Sequence, residues 1–297
     1  MNQYSTKEDV LKLGIVDPEL EAILPYSPPR AMDFSGPMEE LRAMVSKIEK
    51  SAYKSCPTFD TQESTINIQM RDGAQSKLHI TKPGNSRSGN PVVVLIFGGA
   101  FVIGTNIQSI VWARAIASLY GATAWIVANA SAVDADISKG FVLSGRSAGE
   151  NISIFTAHRA VKEKLNPPFT EVLASIPVCM SKDTVPKKHK ELWVSRVQSA
   201  NAAGNPGLDT KSIEGYEVAG LDIIRDDDLV YAKVPEDNGV KVKFDAYPGM
   251  LHGRFNFWPR LKQSIRSQEN TIWHAGWLLG REVSRERVKE FVAVIMK

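Results

Sequence analysis

The sequence predicts a three-layer α/β fold, in which helices cover both faces of a mostly parallel sheet. Residues 91–97 form a continuous and largely β-branched apolar run, which is typical of a strand buried on both faces. Residues 141–154 have the pattern of a short apolar strand, a sharp turn and a helix. Further strand-like and helix-like stretches alternate along the chain, as a parallel sheet with crossover helices requires.

Residues 1–60 carry helical rather than strand-like patterns. Apolar residues recur at helical spacing over 19–24 and 38–48, and a proline-rich stretch separates the two segments. We therefore expect an N-terminal helical cap or arm over 1–60 and an α/β core over 61–297.

The predicted core begins with a hairpin at a sheet edge. Residues 65–70 alternate between apolar and polar, a turn signal follows, and 77–80 form the second strand. Beyond 91–97 a helix is predicted over 108–120, while 124–129 fits either a helix or a strand. The remaining predictions are strands at 171–176, 217–221 and 240–247, and helices at 186–203, at 227–234 and beyond 257.

The turn after the 141–144 strand has the pattern Gly145-x-Ser147-x-Gly149. A serine on a tight strand-to-helix turn exposes its hydroxyl group, and a side chain at either glycine would collide with the neighbouring strand or helix. The N–H of Ala148 then lies at the positive end of the new helix, where it suits a negative charge on a carbonyl oxygen. The pattern alone is common, so the assignment depends on partners elsewhere in the chain.

Candidate partners follow other predicted strands, where functional residues of open α/β sheets collect. They are Gly98-Gly99, Asp222 and His252. Ser147 is a weak nucleophile unless a base takes its proton, and His252 can do so near neutral pH. Asp222 would hold the imidazole in one tautomer. The N–H groups of Gly98, Gly99 and Ala148 would bind the oxyanion.

Each assignment has an ordinary structural alternative. Gly98-Gly99 could be a turn and nothing more. Asp222 competes with three aspartates that could cap the next helix, Asp226, Asp227 and Asp228, and we favour Asp222 because it lies at the strand end. His252 is favoured because it occupies a glycine-flanked loop after a strand, unlike His79, His158, His189 and His274.

The bulk composition excludes several classes of protein. A net charge of +3 on 297 residues is too small to indicate a nucleic-acid partner. Cys56 and Cys179 lie far apart and indicate reduced thiols of a cytoplasmic protein, not a disulfide framework or a metal site. Residues 1–14 lack the apolar core of a signal peptide, and no apolar run approaches the roughly 18 residues of a membrane span.

At four places the chain resembles the hormone-sensitive-lipase-like branch of the α/β-hydrolases, the fold-3 group. The matching stretches are 96–104, 145–151, 220–226 and 247–253. The family's aspartate begins an Asp-Pro-Leu-Arg-Asp motif, which falls on Asp222. The resemblance implies a carboxylic-ester hydrolase with a helical cap, without a cofactor or metal, that acts on short acyl esters. It points to fungal members of the branch.

The chain departs from the family pattern in its loops and in its length, and the resemblance implies that its cap insertion, near 180–215, is shortened. The family's His-Gly-Gly-Gly loop is Phe97-Gly98-Gly99-Ala100 here, Arg146 replaces an acidic residue, and Glu150 replaces a glycine. A carboxylate near the oxyanion would slow acyl transfer, and we expect Arg146 to neutralise Glu150. A central strand of the family's sheet is missing before residue 124, and its loss would leave a gap with unpaired backbone groups. Either 124–128 takes its place or the product is poorly folded.

The sequence therefore predicts a serine esterase that cleaves a small-molecule ester through an acyl-enzyme, with no prediction for its oligomeric state. Two alternatives stay open. One is a non-catalytic small-molecule-binding protein on the same fold, and the other is a truncated, inactive hydrolase. The complete serine, aspartate and histidine set favours catalysis, whereas the altered oxyanion loop and the missing segments favour the alternatives.

Overall fold

The structure is a computed structural model, and it describes residues 4–27, 36–70, 72–85, 89–124, 135–164, 171–175, 185–193, 217–219, 222 and 225–296. The chain divides into two compact units. The sheet unit comprises 33–173 and 271–297, and the histidine unit comprises 1–32 and 174–270. The expected arm over 1–60 is thus shared between the units, and most of the expected cap insertion near 180–215 lies outside the described residues. The arm and the insertion stay predictions.

The sheet unit contains a six-stranded sheet. Its strands are Thr61–Gln69 (β1), Gln75–Pro83 (β2), Val92–Ile96 (β3), Thr123–Ala124 (β4), Phe141–Arg146 (β5) and Glu171–Ser175 (β6). They lie in the order β1-β2-β4-β3-β5-β6. The predicted hairpin is confirmed, because β1 and β2 pair antiparallel at one edge. The mostly parallel core is confirmed by the parallel pairing of β3 with both β4 and β5.

The buried run predicted at 91–97 forms the centre of this sheet. Val92, Val93 and Val94 are fully buried, as strands covered on both faces require. Strand β3 pairs with β5 from Val92 opposite Phe141 to Ile96 opposite Gly145. This register brings the ends of β3 and β5 side by side. The loop after β3 therefore lies next to the turn after β5.

Strand β4 occupies the position in the sheet where the central strand was expected to be missing. Ala124 pairs with Val93 in parallel and with Thr81 of β2 in antiparallel, so it lies between β2 and β3. Of the two outcomes expected, the described residues thus support the first, in which the segment at 124 takes the missing strand's place. The rest of that segment, 125–134, lies outside the described residues.

The described α-helices agree with most of the predicted ones. Helix α3 runs past the predicted end at 48, and α4 starts two residues later than predicted. Val288, Phe291 and Val292 of the last helix are buried, which confirms an apolar stripe that packs in the core. The helices are Lys7–Lys12 (α1), Pro18–Ile23 (α2), Met38–Ser55 (α3), Ile110–Tyr120 (α4), Ala148–Lys162 (α5), Arg225–Asp237 (α6), Arg254–Phe257 (α7), Lys262–Leu278 (α8) and Arg285–Ile295 (α9).

A buried ion pair joins three elements of the sheet unit. Arg114 of α4 is 2% exposed, and its Nε donates to Glu63 Oε1 of β1 at 2.5 Å. The same guanidinium donates to the Cys56 carbonyl at the end of α3, and the Tyr53 hydroxyl donates to Glu63. Burial alone would raise the pKa of Glu63, but the hydrogen bonds from Arg114 and Tyr53 outweigh burial and lower it.

The histidine unit contains a short parallel pair of strands, Glu217–Ala219 (β7) and Asp245–Tyr247 (β8). The prediction of a strand over 240–247 is wrong for its first five residues, which have no regular structure. Val240 is 57% exposed, and the described pairing joins Glu217–Ala219 to Asp245–Tyr247, so alternation alone does not place 240–244 in the strand. Behind β8, a buried cluster contains Leu20, Tyr247, Met250, Trp258 and Leu261.

We expect Glu63→Gln to lower the free energy of unfolding by about 2–3 kcal/mol, because it leaves the buried Arg114 charge without its carboxylate. The value lies below the usual range of about 3–5 kcal/mol because the Glu63 side chain is 15% exposed. Urea unfolding measures the change. The control is Glu163→Gln, which breaks the exposed pair with Arg159 and should cost less than about 0.5 kcal/mol. Equal losses in the two variants would contradict the role of the buried pair.

Candidate active site

Ser147 lies between β5 and α5, in the strand–turn–helix arrangement that the motif predicts. Its backbone has φ 52° and ψ −121°, a conformation that residues with a side chain rarely adopt. Such a conformation costs about 1–3 kcal/mol and persists only where the surroundings enforce it. Strain of this kind concentrates at functional sites, so the geometry marks Ser147 as a candidate nucleophile.

The two glycines of the motif stand where no side chain fits. A Cβ atom on Gly145 would lie 2.2 Å from the carbonyl carbon of Gly149. A Cβ atom on Gly149 would lie 2.2 Å from the carbonyl oxygen of Ile96, at the end of β3. Both distances are far below van der Waals contact, so the start of α5 packs backbone to backbone against two strands. This close packing enforces the sharp turn at Ser147.

The loop after β3 also lies against this turn. A Cβ atom on Gly98 would be 2.3 Å from the Arg146 carbonyl oxygen and 3.2 Å from Ser147 Cβ. Gly99 has φ 133°, and a Cβ atom there would be 2.2 Å from the Ile103 carbonyl oxygen. Gly98 is therefore required by a close backbone contact beside Ser147, whereas Gly99 is required by a close contact within its own loop. We call residues 97–101 the glycine loop.

The expected oxyanion donors differ in how their N–H groups are used. The N–H of Ala148 belongs to the first residue of α5, so it has no acceptor within the helix. The N–H of Gly98 instead donates to Gln108 Oε1 at 2.8 Å. This bond does not fit the expectation that Gly98 donates to an oxyanion. Gly99 and Ala148 stay candidate donors.

The departures from the family pattern have visible structural consequences. Ala100 and Phe101 adopt φ 51° and 64°, a left-handed conformation that favours glycine. Arg146 is buried, and its guanidinium lies over the Trp112 ring at 4.0 Å from the ring centroid. Glu150 is also buried, in the first turn of α5. A pairing of Arg146 with Glu150 stays a prediction.

The histidine unit brings Asp222 and His252 together. Nδ1 of His252 lies 2.6 Å from Oδ2 of Asp222, whose side chain is fully buried, while the His252 side chain is 40% exposed. Burial alone would lower the pKa of His252, but the charge and hydrogen bond of Asp222 outweigh burial and raise it. Of the competing aspartates, Asp226 accepts a hydrogen bond from Arg225 instead.

Several of the other histidines have partners of a structural kind. His79 lies beside Glu63, with 3.4 Å between Nε2 and Oε2. His189 bonds the Asp237 carboxylate, and His274 packs beside the Trp273 ring. Because His79 and His189 also lie beside carboxylates, the choice of His252 over them stays a prediction.

The sequence analysis missed two side chains beside the glycine loop, Gln108 and Glu49. Gln108 bonds Gly98 and Glu49, and Glu49 is a buried carboxylate on α3. The available signal for a buried role of Glu49 was its charge on the face of α3 that also buries Leu41. Nothing in the sequence pairs it with residue 108, which is 59 positions away.

Comparisons with known proteins agree with this geometry. No family model matches the chain. A vibralactone cyclase structure superposes with a TM-score of 0.72 at 20% identity, over 91% of this chain and 96% of that one. The chain has the α/β-hydrolase fold. A bacterial heroin esterase of the same fold gives a TM-score of 0.68 at 19% identity, over 93% of this chain and 98% of that one.

A fungal sequence relative supports the same assignment. The versiconal hemiacetal acetate esterase of Dothistroma septosporum is 22% identical over 304 residues, which cover 83% of this chain and 90% of that enzyme. The resemblance to the α/β-hydrolases that the four motifs indicate is therefore confirmed. Among the helices that the structure describes, none is both long enough and apolar enough to span a membrane.

We expect Gly149→Ala to destabilise the protein by at least about 2 kcal/mol, because the new methyl group meets the backbone of β3 with no flexible neighbour to yield. The midpoint of urea unfolding measures the effect. Gly36→Ala is the matched control, since a Cβ atom there meets nothing within 4 Å. A Gly149→Ala variant as stable as Gly36→Ala would show that the close contact at the turn is not enforced.

Proposed function

We propose that the protein is a serine esterase that hydrolyses carboxylic esters through an acyl-enzyme. The observation that carries the proposal is the strained backbone of Ser147 at the start of α5, in a turn whose glycines admit no side chain. An arrangement that holds a serine hydroxyl at a helix N-terminus suits attack on a carbonyl carbon. The esterases among the relatives and structural neighbours support the same reaction.

The proposed roles follow from the chemistry of each group. His252 accepts the proton of the Ser147 hydroxyl as its oxygen attacks the ester carbonyl. Asp222, bonded to Nδ1, keeps Nε2 of His252 available as the base and stabilises the imidazolium. The N–H groups of Gly99 and Ala148 stabilise the oxyanion, while Gly98 holds its place in the glycine loop. His252 returns the proton to the departing alcohol, and water then cleaves the acyl-enzyme by the same steps.

The proposed substrate is a small-molecule ester with a short acyl group. The name of the Dothistroma relative, a hemiacetal acetate esterase, supports an acetyl or similarly small acyl group. The proposed mechanism needs neither a cofactor nor a metal. The composition supports a cytoplasmic location and gives no support to a nucleic-acid partner.

The second candidate function is small-molecule binding without turnover. A specific observation favours it: Glu150 is buried three residues after Ser147, in the first turn of α5, where a carboxylate opposes a developing oxyanion. The left-handed backbone of Ala100 in the glycine loop also favours binding without turnover. A truncated, inactive hydrolase is the third reading, and it predicts a chain that does not unfold cooperatively.

Turnover of p-nitrophenyl acetate by the purified protein, beside Ser147→Ala, tests the proposal. We expect hydrolysis that Ser147→Ala reduces at least about 10³-fold, because no other group supplies the nucleophile. A thermal melt on both samples is the control. A cooperative melt without serine-dependent turnover would favour the binding protein, and the absence of a cooperative melt would favour the inactive hydrolase.

The raised pKa of His252 sets the pH dependence of the rate. Only the neutral imidazole accepts the serine proton, so activity falls as the pH drops through the pKa of His252. We expect the midpoint of this acidic limb of kcat/KM above about pH 6.5, the ordinary value for histidine.

Asp222→Asn removes the charge that raises this pKa. We expect the variant to shift the acidic limb to lower pH and to reduce kcat by about 10⁴-fold. Asp237→Asn is the matched control, because Asp237 also bonds a histidine in the same unit, His189, at 2.7 Å. An unchanged limb in Asp222→Asn, or an equal shift in the control, would contradict the role of Asp222.

A further inference from the structure

One side chain holds both backbone polar groups of Gly98. The Gly98 N–H donates to Gln108 Oε1 at 2.8 Å, and Gln108 Nε2 donates to the Gly98 carbonyl oxygen at 3.3 Å. Gln108 lies two residues before α4, in the segment that joins β3 to α4. A primary amide can make these two bonds in only one orientation, because one end donates and the other accepts.

Glu49 fixes that orientation. Gln108 Nε2 also donates to Glu49 Oε1 at 2.9 Å, and the Thr105 hydroxyl donates to Glu49 Oε2 at 2.5 Å. Glu49 belongs to α3 and is 8% exposed. A carboxylate only accepts hydrogen bonds, so it draws the NH₂ end of Gln108 towards itself and leaves Oε1 for the Gly98 N–H. Glu49 and Gln108 thus form a chain of bonds from α3 to the glycine loop.

The bond to the Gly98 carbonyl bears on the next residue. The carbonyl of Gly98 and the N–H of Gly99 belong to one planar trans peptide, and they point in opposite directions. A donor that holds the carbonyl on one side therefore directs the Gly99 N–H to the other side. The contact of Gly98 with the Arg146 carbonyl and with Ser147 Cβ leaves this peptide little freedom to shift.

We propose that Glu49, acting through Gln108, positions the Gly99 N–H for the oxyanion. Both are positioning residues, since neither touches the reacting atoms. The inference rests on the proposed esterase function, and it assigns a role in that function to a residue of α3. A misplaced oxyanion donor lowers the rate of the chemical step with little effect on the binding of the uncharged ester.

The test uses Gln108→Met, which keeps the size of the side chain and removes all three of its hydrogen bonds. We expect kcat for p-nitrophenyl acetate to fall about 10- to 100-fold, while KM stays within about twofold. The value of kcat is calculated per active serine, which is titrated with a p-nitrophenyl phosphonate. Affinity for a trifluoromethyl ketone, whose adduct with Ser147 carries an oxyanion, should fall by the same factor as kcat/KM. The unchanged KM and the weaker ketone binding separate positioning from a general loss of folded protein.

Three further variants sharpen the test. Glu49→Gln still offers Gln108 an acceptor oxygen, so kcat should stay within about threefold of the original value. As a single variant, Glu49→Met should lower kcat. Combined with Gln108→Met, it should cause no further loss of kcat, because Glu49 acts through Gln108. Asn106→Ala is the matched control, since its amide bonds the Lys77 carbonyl and does not reach the glycine loop. Additive losses in the double variant would contradict the chain of bonds.

Amide hydrogen exchange over residues 97–104 gives a readout that is independent of turnover. Exchange at Gly98 should quicken about tenfold or more in Gln108→Met and stay unchanged in Asn106→Ala. If Gln108→Met fails to fold, Glu49→Met is measured in its place. Lack of serine-dependent turnover would overturn the esterase proposal alone. Unchanged exchange, or unchanged kcat and ketone affinity in an active enzyme, would overturn the positioning role.

Discussion

The site depends on one constraint, which is the contact of three backbone segments without intervening side chains. The end of β3, the turn after β5 and the first turn of α5 meet at Gly98, Gly145 and Gly149, where any Cβ atom would lie within 2.3 Å of a backbone atom. Because nothing at this junction can yield, the positive φ of Ser147 is imposed by its surroundings. The parallel register of β3 with β5 produces the junction, so the sheet and the nucleophile turn form one structural unit.

The parts that the sequence predicts well depend on local chemistry. The β-branched run of β3, the Gly-x-Ser-x-Gly turn and the alternation in β1 and β2 each have a signature within a few residues. Asp222 and His252 are found less directly, because both follow predicted strands, and parallel strands bring their ends to one edge of a sheet. The hydrogen bond between them is consistent with that inference.

The parts that the sequence does not predict depend on distant partners. A buried Glu49 beside Gln108, or Arg114 beside Glu63, is a pairing across more than 50 residues, which no periodicity reveals. The strand over 240–247 is overestimated for a related reason, since alternation shows which residues could pair but does not supply a partner for them. Strand β4 lies between β2 and β3, and its described pairs join residues that are distant in sequence, Thr123 and Ala124 with Val92, Val93 and Thr81.

Helix α3 and the residue after it supply two buried hydrogen-bond acceptors, the Glu49 carboxylate and the Cys56 carbonyl. Their donors lie on the segment 105–114. During synthesis this helix leaves the ribosome well before those donors do, because chains emerge from their N-terminus. The Glu49 carboxylate therefore stays hydrated until the chain through α4 has been synthesised, and it is buried when Thr105 and Gln108 bond it. A loop of about 60 residues closes at modest entropic cost. The docking of α3 thus also depends on the completed centre of the sheet.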